Sequence, residues 1–288
     1  MAVKFFGQFL VEKGLVTREK LLEAIELQDR TNLKFGEMAL TMGLINDADV
    51  ERVHDAQRSE DLRFGDMTVK LGILSEEHMK QVLTRQKNNH LYIGEALVQV
   101  GALQQDQVPG LLDQFKADQA PYMVDRVEIP AGVPDAEVWE MAADLTYKML
   151  TRVANLEFRP APCQMVDSLP SADVVAAMDF SGSVTARYLI AVPSKVQTEI
   201  AKAILKEEDV STEPKEVLDD TVMEFINIVC GNIAAKGAQL GRTMEISPPW
   251  LIEKPNELSV PEGQVGLLLP VHLASGGQAA VALFIGKP

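Results

Sequence analysis

Glu224 and Asn227 stand three residues apart, with Asp220 one turn before them and Gly231 one turn after. At 100° per residue these four positions fall on one narrow stripe of a helix. A carboxylate and a carboxamide at that spacing can act on one small target, since Asn brings both a donor and an acceptor and Glu brings charge for a cation. Together they can orient a water molecule. The same residue types also suit a helix face that is only hydrated. Val217, Met223, Ile228 and Cys230 flank the stripe, and an apolar rim around a few aimed polar groups suits a docking surface. Asp219, Asp220 and Glu224 could ligate a metal, but three acids on an exposed helix are more often simply solvated.

The element that must position these groups is a helix over 213–236. Leu218, Val222, Phe225, Ile226, Val229 and Ile233 form its apolar face, opposite the polar stripe. Thr212 is suited to cap it, Pro214 to sit in its first turn and Gly237 to end it. A second stripe, Val138, Ala142, Leu145, Met149 and Val153, predicts a matching helix over 135–153. β-type runs follow each helix: 172–180 and 184–192, with a helix at 195–205, and then 244–252, 264–273 and 278–285. Gly182 and Gly276-Gly277 mark hairpin turns, which predicts an α+β domain with two long helices on an antiparallel sheet.

The pattern D-x3-E-x2-N inside an amphipathic helix, with Gly four residues after the Asn, resembles the active helix of the CheC/CheX family of chemotaxis phosphatases. Those proteins dephosphorylate the CheY-type response-regulator receiver, and residues 135–288 are similar to their two-halved arrangement. The resemblance implies that Asn227 positions a water in line with phosphorus and that Glu224 docks on the receiver's Lys. Asp220 would be a rim contact, with Met223, Ile228 and Gly231 on the partner-facing surface. The receiver brings its own divalent metal, so no cofactor is expected on this chain. At the corresponding place in the first helix stands Glu140-Met-Ala-Ala143, with Ala for Asn, so one active motif is expected, as in CheX. Members of that single-site form are often dimers, so a homodimer is expected too.

The first 118 residues read differently. Gly7 and Gly14, Gly36 and Gly43, Gly65 and Gly72, and Gly94 and Gly101 recur with a period of 29. Leu21, Val50, Met79 and Val108 share one apolar position, and Gln28, Gln57 and Gln86 close three of the units. Each unit reads as a short helix ended by the second Gly, a cap at Thr17, Asn46, Ser75 or the weaker Gln104, and a longer helix. The expectation is four tandem helical repeats over 4–115, an all-α domain built by stacking.

This unit resembles the cyclic di-GMP-binding N-terminal domain (the MshEN type) of type II secretion and pilus ATPases, whose signature runs R-L-G-x-x-L-V-x-x-G-L-I. The position of its Arg is Phe5, Lys34, Arg63 and Tyr92 in the four units. The resemblance therefore points to units two and three for cyclic di-GMP, with Lys34, Gly36, Arg63 and Gly65 nearest the phosphates. Lys lacks the planar fork of Arg, which favours a module for protein contacts over a nucleotide site. No G-x4-G-K-[ST] loop occurs, so the ATPase part is absent.

Composition bounds the rest. The net charge of −15 divides as −5 over 1–118 and −10 over 119–288, which argues against nucleic acid as a partner. Cys163 and Cys230 form no paired motif, and the four His are scattered, so no metal site is expected. Residues 266–286 hold no charged side chain, but Pro270 and Ser275-Gly-Gly read as a buried hairpin rather than a membrane span. The N-terminal stretch meets Glu12 too early for a secretory signal, and a cytoplasmic protein is expected. Pro121, Pro130, Gly132 and Pro134 mark a linker over 119–134 between domains at 1–118 and 135–288. Two functions stand: a receiver phosphatase regulated or targeted by the repeats, or a non-catalytic adaptor that binds a receiver or scaffold and senses cyclic di-GMP.

Overall fold

The structure, a computed structural model, describes residues 4–57, 60–120, 127–253, 258–274 and 276–286. Pro121 of the expected linker and Ser275 of the expected turn lie outside them. The chain divides into two compact units, Met1–Pro121 and Tyr122–Pro288.

The first unit is helical: α1 Phe6–Glu12, α2 Arg18–Thr31, α3 Phe35–Thr41, α4 Asp47–Gln57, α5 Phe64–Lys70, α6 Glu76–Asn89, α7 Ile93–Gln99 and α8 Gln107–Gln119. Each seven-residue helix ends at a left-handed glycine, Gly14, Gly43, Gly72 or Gly101, with φ between +67° and +72°. At each, two backbone N–H groups turn back onto the last turn, as in Leu15 to Leu10 at 3.0 Å and Leu44 to Ala39 at 3.0 Å. Glycine, lacking Cβ, takes that conformation at the least cost. Thr17 and Ser75 accept from the N–H groups of Lys20 and His78 at 3.3 and 3.2 Å, and Asn46 accepts from Asp49 at 3.1 Å. Gln104 caps nothing; its own N–H donates to Gln107, and α8 starts only at Gln107.

The packing is not a linear stack. α1 and α2 pack against α8 and α7, while α3 and α4 pack against α6 and α5. Two cores result, one holding Phe6, Phe9, Leu97, Val108 and Phe115, the other Met38, Ala39, Ile45, Leu74 and Val82. Glutamines tie each pair at its seams. Gln28, Gln57 and Gln86 donate to the carbonyls of Leu91, Leu62 and Leu33 at 2.7–3.0 Å. Gln119, 1% exposed, makes the fourth tie by accepting from the Lys4 N–H at 2.8 Å.

The second unit is α+β. It contains α9 Ala136–Arg152, β1 Phe158–Pro160, β2 Gln164–Val166, β3 Val174–Gly182, β4 Ala186–Val192, α10 Ser194–Leu205, α11 Lys215–Gln239, β5 Met244–Ile246, β6 Trp250–Leu251, β7 Gln264–Leu273 and β8 Gln278–Gly286. The sheet is antiparallel in the order β1-β7-β8-β4-β3-β5, with β2 on β7 and β6 on β3. One face, including Ala176, Met178, Phe180, Leu267 and Leu269, shares its core with α9, α10 and α11. The other face, Val175, Ala177, Leu189, Ala282 and Phe284, is covered by Leu169, Trp250, Leu258 and Val260. Burial on both faces explains why the strands read as nearly continuous apolar runs.

The 266–286 stretch is the β7–β8 hairpin, and among the described residues no helix is long and apolar enough to cross a membrane. The expected run 244–252 divides into β5 and β6 at Ser247-Pro248-Pro249, because proline cannot donate to a ladder. The three-residue strands β1 and β2 had no sequence signal. The first-helix register is also corrected. Ala143 is 1% exposed in the core, so Glu140-x2-Ala143 does not face outward. The spacing of Asp220, Glu224, Asn227 and Gly231 is matched on the less buried face of α9 by Glu137, Met141, Asp144 and Lys148, with Asp144 paired to Lys148 at 2.9 Å.

Candidate functional site

α11 runs for 25 residues and packs on β3, β5 and β6 between α9 and α10. It begins at Lys215, later than expected. Pro214 is its extended N-cap residue, and Thr212 lies outside it. It passes through Gly237 and stops at Gly241 (φ +78°), where Arg242 donates to the Gly237 carbonyl at 2.9 Å and Gly241 to Ala238 at 3.1 Å. Gly237 serves packing instead: a Cβ there would displace the terminal methyl of Met244 on β5.

Val222, Phe225, Ile226, Val229 and Ile233 are fully buried under the helix. Asp220, Glu224 and Asn227 are exposed on its outer side, with Gly231 half-buried on the same stripe. The side chains of Glu224 and Asn227 make no hydrogen bond or ion pair with any described residue, so a carboxylate and a carboxamide stand ready on a rigid element. The rim is narrower than expected. Met223 and Val217 are half-buried beside the stripe, whereas Ile228, 7% exposed, and Cys230, fully buried, belong to the core and offer an incoming surface little.

Asp219 is not a third exposed acid. It is 8% exposed and accepts from Gln197 Nε2 at 2.7 Å and from Lys215 Nζ at 2.6 Å. Among the described residues, no group of His, Cys, Asp or Glu is arranged to hold a metal ion. Burial pushes the Cys163 thiol up to about 11 and the Cys230 thiol well above its ordinary value, so neither is a thiolate at neutral pH. Tyr147 and Tyr188 are likewise raised, mainly by burial. The outer stripe of α11 can orient and dock, and it has no activated nucleophile of its own.

In the first unit, Lys34 and Arg63 are exposed N-cap residues of α3 and α5, on units that pack together. Gly36 and Gly65 are buried: a Cβ on Gly36 would lie 3.1 Å from the Phe64 ring, and one on Gly65 would lie 3.0 Å from the Phe35 ring. These glycines therefore serve aromatic packing between α3 and α5. The first turn of α3 is also occupied by its own Glu37, whose carboxylate accepts from the Lys34 N–H at 2.7 Å.

Residues 174–272 match the family of the chemotaxis phosphatase CheX. The matched segment runs from the start of β3 into β7 and contains the whole of α11. Among solved structures, CheX from Desulfovibrio desulfuricans is similar at 17% identity and a TM-score of 0.46, covering 52% of this chain and 99% of that one. A CheC-like superfamily protein from Shewanella sp. PV-4 shows 20% identity and a TM-score of 0.47 over 53% of this chain and 99% of its own. CheX from Borrelia burgdorferi, in its complex with CheY, BeF3 and Mg2+, shows 22% identity and a TM-score of 0.45 over 52% and 98%. No curated protein matches the chain. Gln197, which ties α11 to α10 through Asp219, carries no signal in the sequence, and nothing in periodicity distinguishes the buried Asp219 from the exposed acid beside it.

Proposed function

We propose that the protein is a phosphatase acting on the aspartyl phosphate of a CheY-type receiver. The observation that carries this reading is the pair Glu224 and Asn227, exposed and without a partner among the described residues on the outer stripe of α11 within the CheX-matching segment. A receiver's own divalent metal supplies the charge that phosphoryl transfer needs, so a partner gains rate by placing water in line with phosphorus. In this reading the Asn227 carboxamide holds that water, and Glu224 meets a cationic side chain of the receiver. Asp220 and the half-buried Met223 border the contact, and Gly231 lets the partner approach closely. Members of the single-motif form pair up, so a homodimer is part of the proposal.

The test is the dephosphorylation rate of a metal-loaded phosphorylated receiver from the same cell, with wild type and Asn227→Ala. Loss of an orienting group of this kind costs on the order of 10² or more in rate. The variant should fold normally and be nearly inactive. Tight receiver binding without acceleration by wild type would replace this reading with a non-catalytic adaptor.

For the first unit we propose a regulatory or targeting module built from four copies of one helix pair. Binding of cyclic di-GMP at the second and third copies is a second reading, favoured by the packing of those two copies with Lys34 and Arg63 at corresponding ends. Calorimetric titration of the dinucleotide into wild type and Arg63→Ala decides it.

A further inference from the structure

Because nothing within the described residues restrains the Glu224 and Asn227 side chains, their placement depends on how α11 itself is held. Hydrophobic burial is itself non-directional, so side-chain packing narrows the roll of the helix without a directed bond to fix it. A directed polar contact is what can fix its roll. One chain of such contacts runs from the sheet to the helix. Asp173, just before β3, accepts from the Ser194 N–H at 2.7 Å and from the Ser194 hydroxyl at 2.8 Å, pinning the start of α10. Three residues on, Gln197, 5% exposed, donates to Asp219 Oδ1 of α11 at 2.7 Å. The second oxygen of Asp219 is taken by Lys215 on the same helix.

We propose that the Gln197–Asp219 bond is a positioning contact that sets the roll of α11 for catalysis; the inference rests on the phosphatase reading. Neither residue reaches the outer stripe, so both act through the helix. An atom near the outer radius of a helix, about 6 Å from the axis, moves by about 1 Å for a roll of about 10°. Misplacement by about 1 Å can cost on the order of 10² in rate.

The experiment is steady-state turnover of the phosphorylated receiver by wild type, Gln197→Met and the double variant Gln197→Met with Asp219→Leu. The single variant leaves one buried carboxylate oxygen unpaired and loses stability; the double variant replaces both partners by apolar groups and should melt close to wild type. The expected result is a fall in kcat of about tenfold in both variants, with KM for the receiver within about twofold. An unchanged kcat, or a loss that the double variant recovers together with its melting temperature, overturns the positioning role. Wild type that accelerates while Gln197→Met is equally fast removes only this inference; wild type that does not accelerate removes the phosphatase reading and this inference with it.

Discussion

Replacing Gly231 by Ala should make the protein more stable and less active, a pairing that few surface substitutions produce. Gly231 lies in the second half of α11, more than one turn from either end, with no positive φ. A Cβ built there meets no atom within 4 Å. Nothing in the chain's own packing asks for glycine, yet glycine inside a helix costs about 0.5–1 kcal/mol relative to alanine. Removing that cost should raise the melting temperature of a unit of this size by about 1–4 °C. If a receiver lies on the stripe of Glu224 and Asn227, the added methyl stands one turn beyond Asn227, where the partner must come close. Overpacking a fitted contact costs about 1–3 kcal/mol, so KM for the phosphorylated receiver should rise between about fivefold and about 150-fold. Thermal unfolding and steady-state dephosphorylation on one preparation read both effects. A stabilised variant with unchanged KM would show that the partner does not cover this position, and a destabilised variant would refute the helix argument itself.

Other outcomes follow from the same geometry. Gly43→Ala forces a side chain into the left-handed region at φ +67° and should destabilise the first unit by about 1–2 kcal/mol; Gly110→Ala, inside α8 with open space around its Cβ, should not, and differential scanning calorimetry separates the two. The Asp173 carboxyl is held below its ordinary value by hydrogen bonds from the Ser194 N–H and hydroxyl. Its contribution is therefore present above the unfolded value of about 3.9 and lost as pH falls through the lower folded value, so the melting-temperature gap between wild type and Asp173→Asn should be flat from pH 5 to 8 and close only below about pH 4. A gap that closes near pH 6 would contradict this. With its thiol raised to about 11 and the other thiol buried, Cys163 and Cys230 should both alkylate slowly at pH 8 and rapidly in denaturant; fast labelling of the native protein would refute the burial assigned to them.

The parts of this protein that follow from local rules were legible in the chain. A left-handed helix end is adopted with least strain by a residue without Cβ, so the glycines at 14, 43, 72 and 101 announced four helix ends one by one, whereas the left-handed end of α10 at Lys206 carried no such signal. The 3.6-residue period by itself separates Val222, Phe225 and Ile226 from Asp220, Glu224 and Asn227. What the period could not do was tell which of two adjacent acids is buried, or whether Ile228 borders a surface or fills a core. Those depend on which neighbour arrives: α10 brings Gln197 to Asp219, and the core closes over Ile228. The sequence did not show that Gly36 and Gly65 also leave room for the rings of Phe64 and Phe35.

The sequence alone therefore determined the elements and the chemistry of the exposed stripe, because backbone conformation and helical period are properties of short stretches. Tertiary structure decided the pairing of the first helices with the last and the middle ones with each other, and the tie that Gln119 rather than a residue at the repeat position makes to Lys4. It also decided the burial of Asp219 and the outward register of α9. Each of these is a contact between residues far apart in the chain, and such a contact exists only once both surfaces have been built.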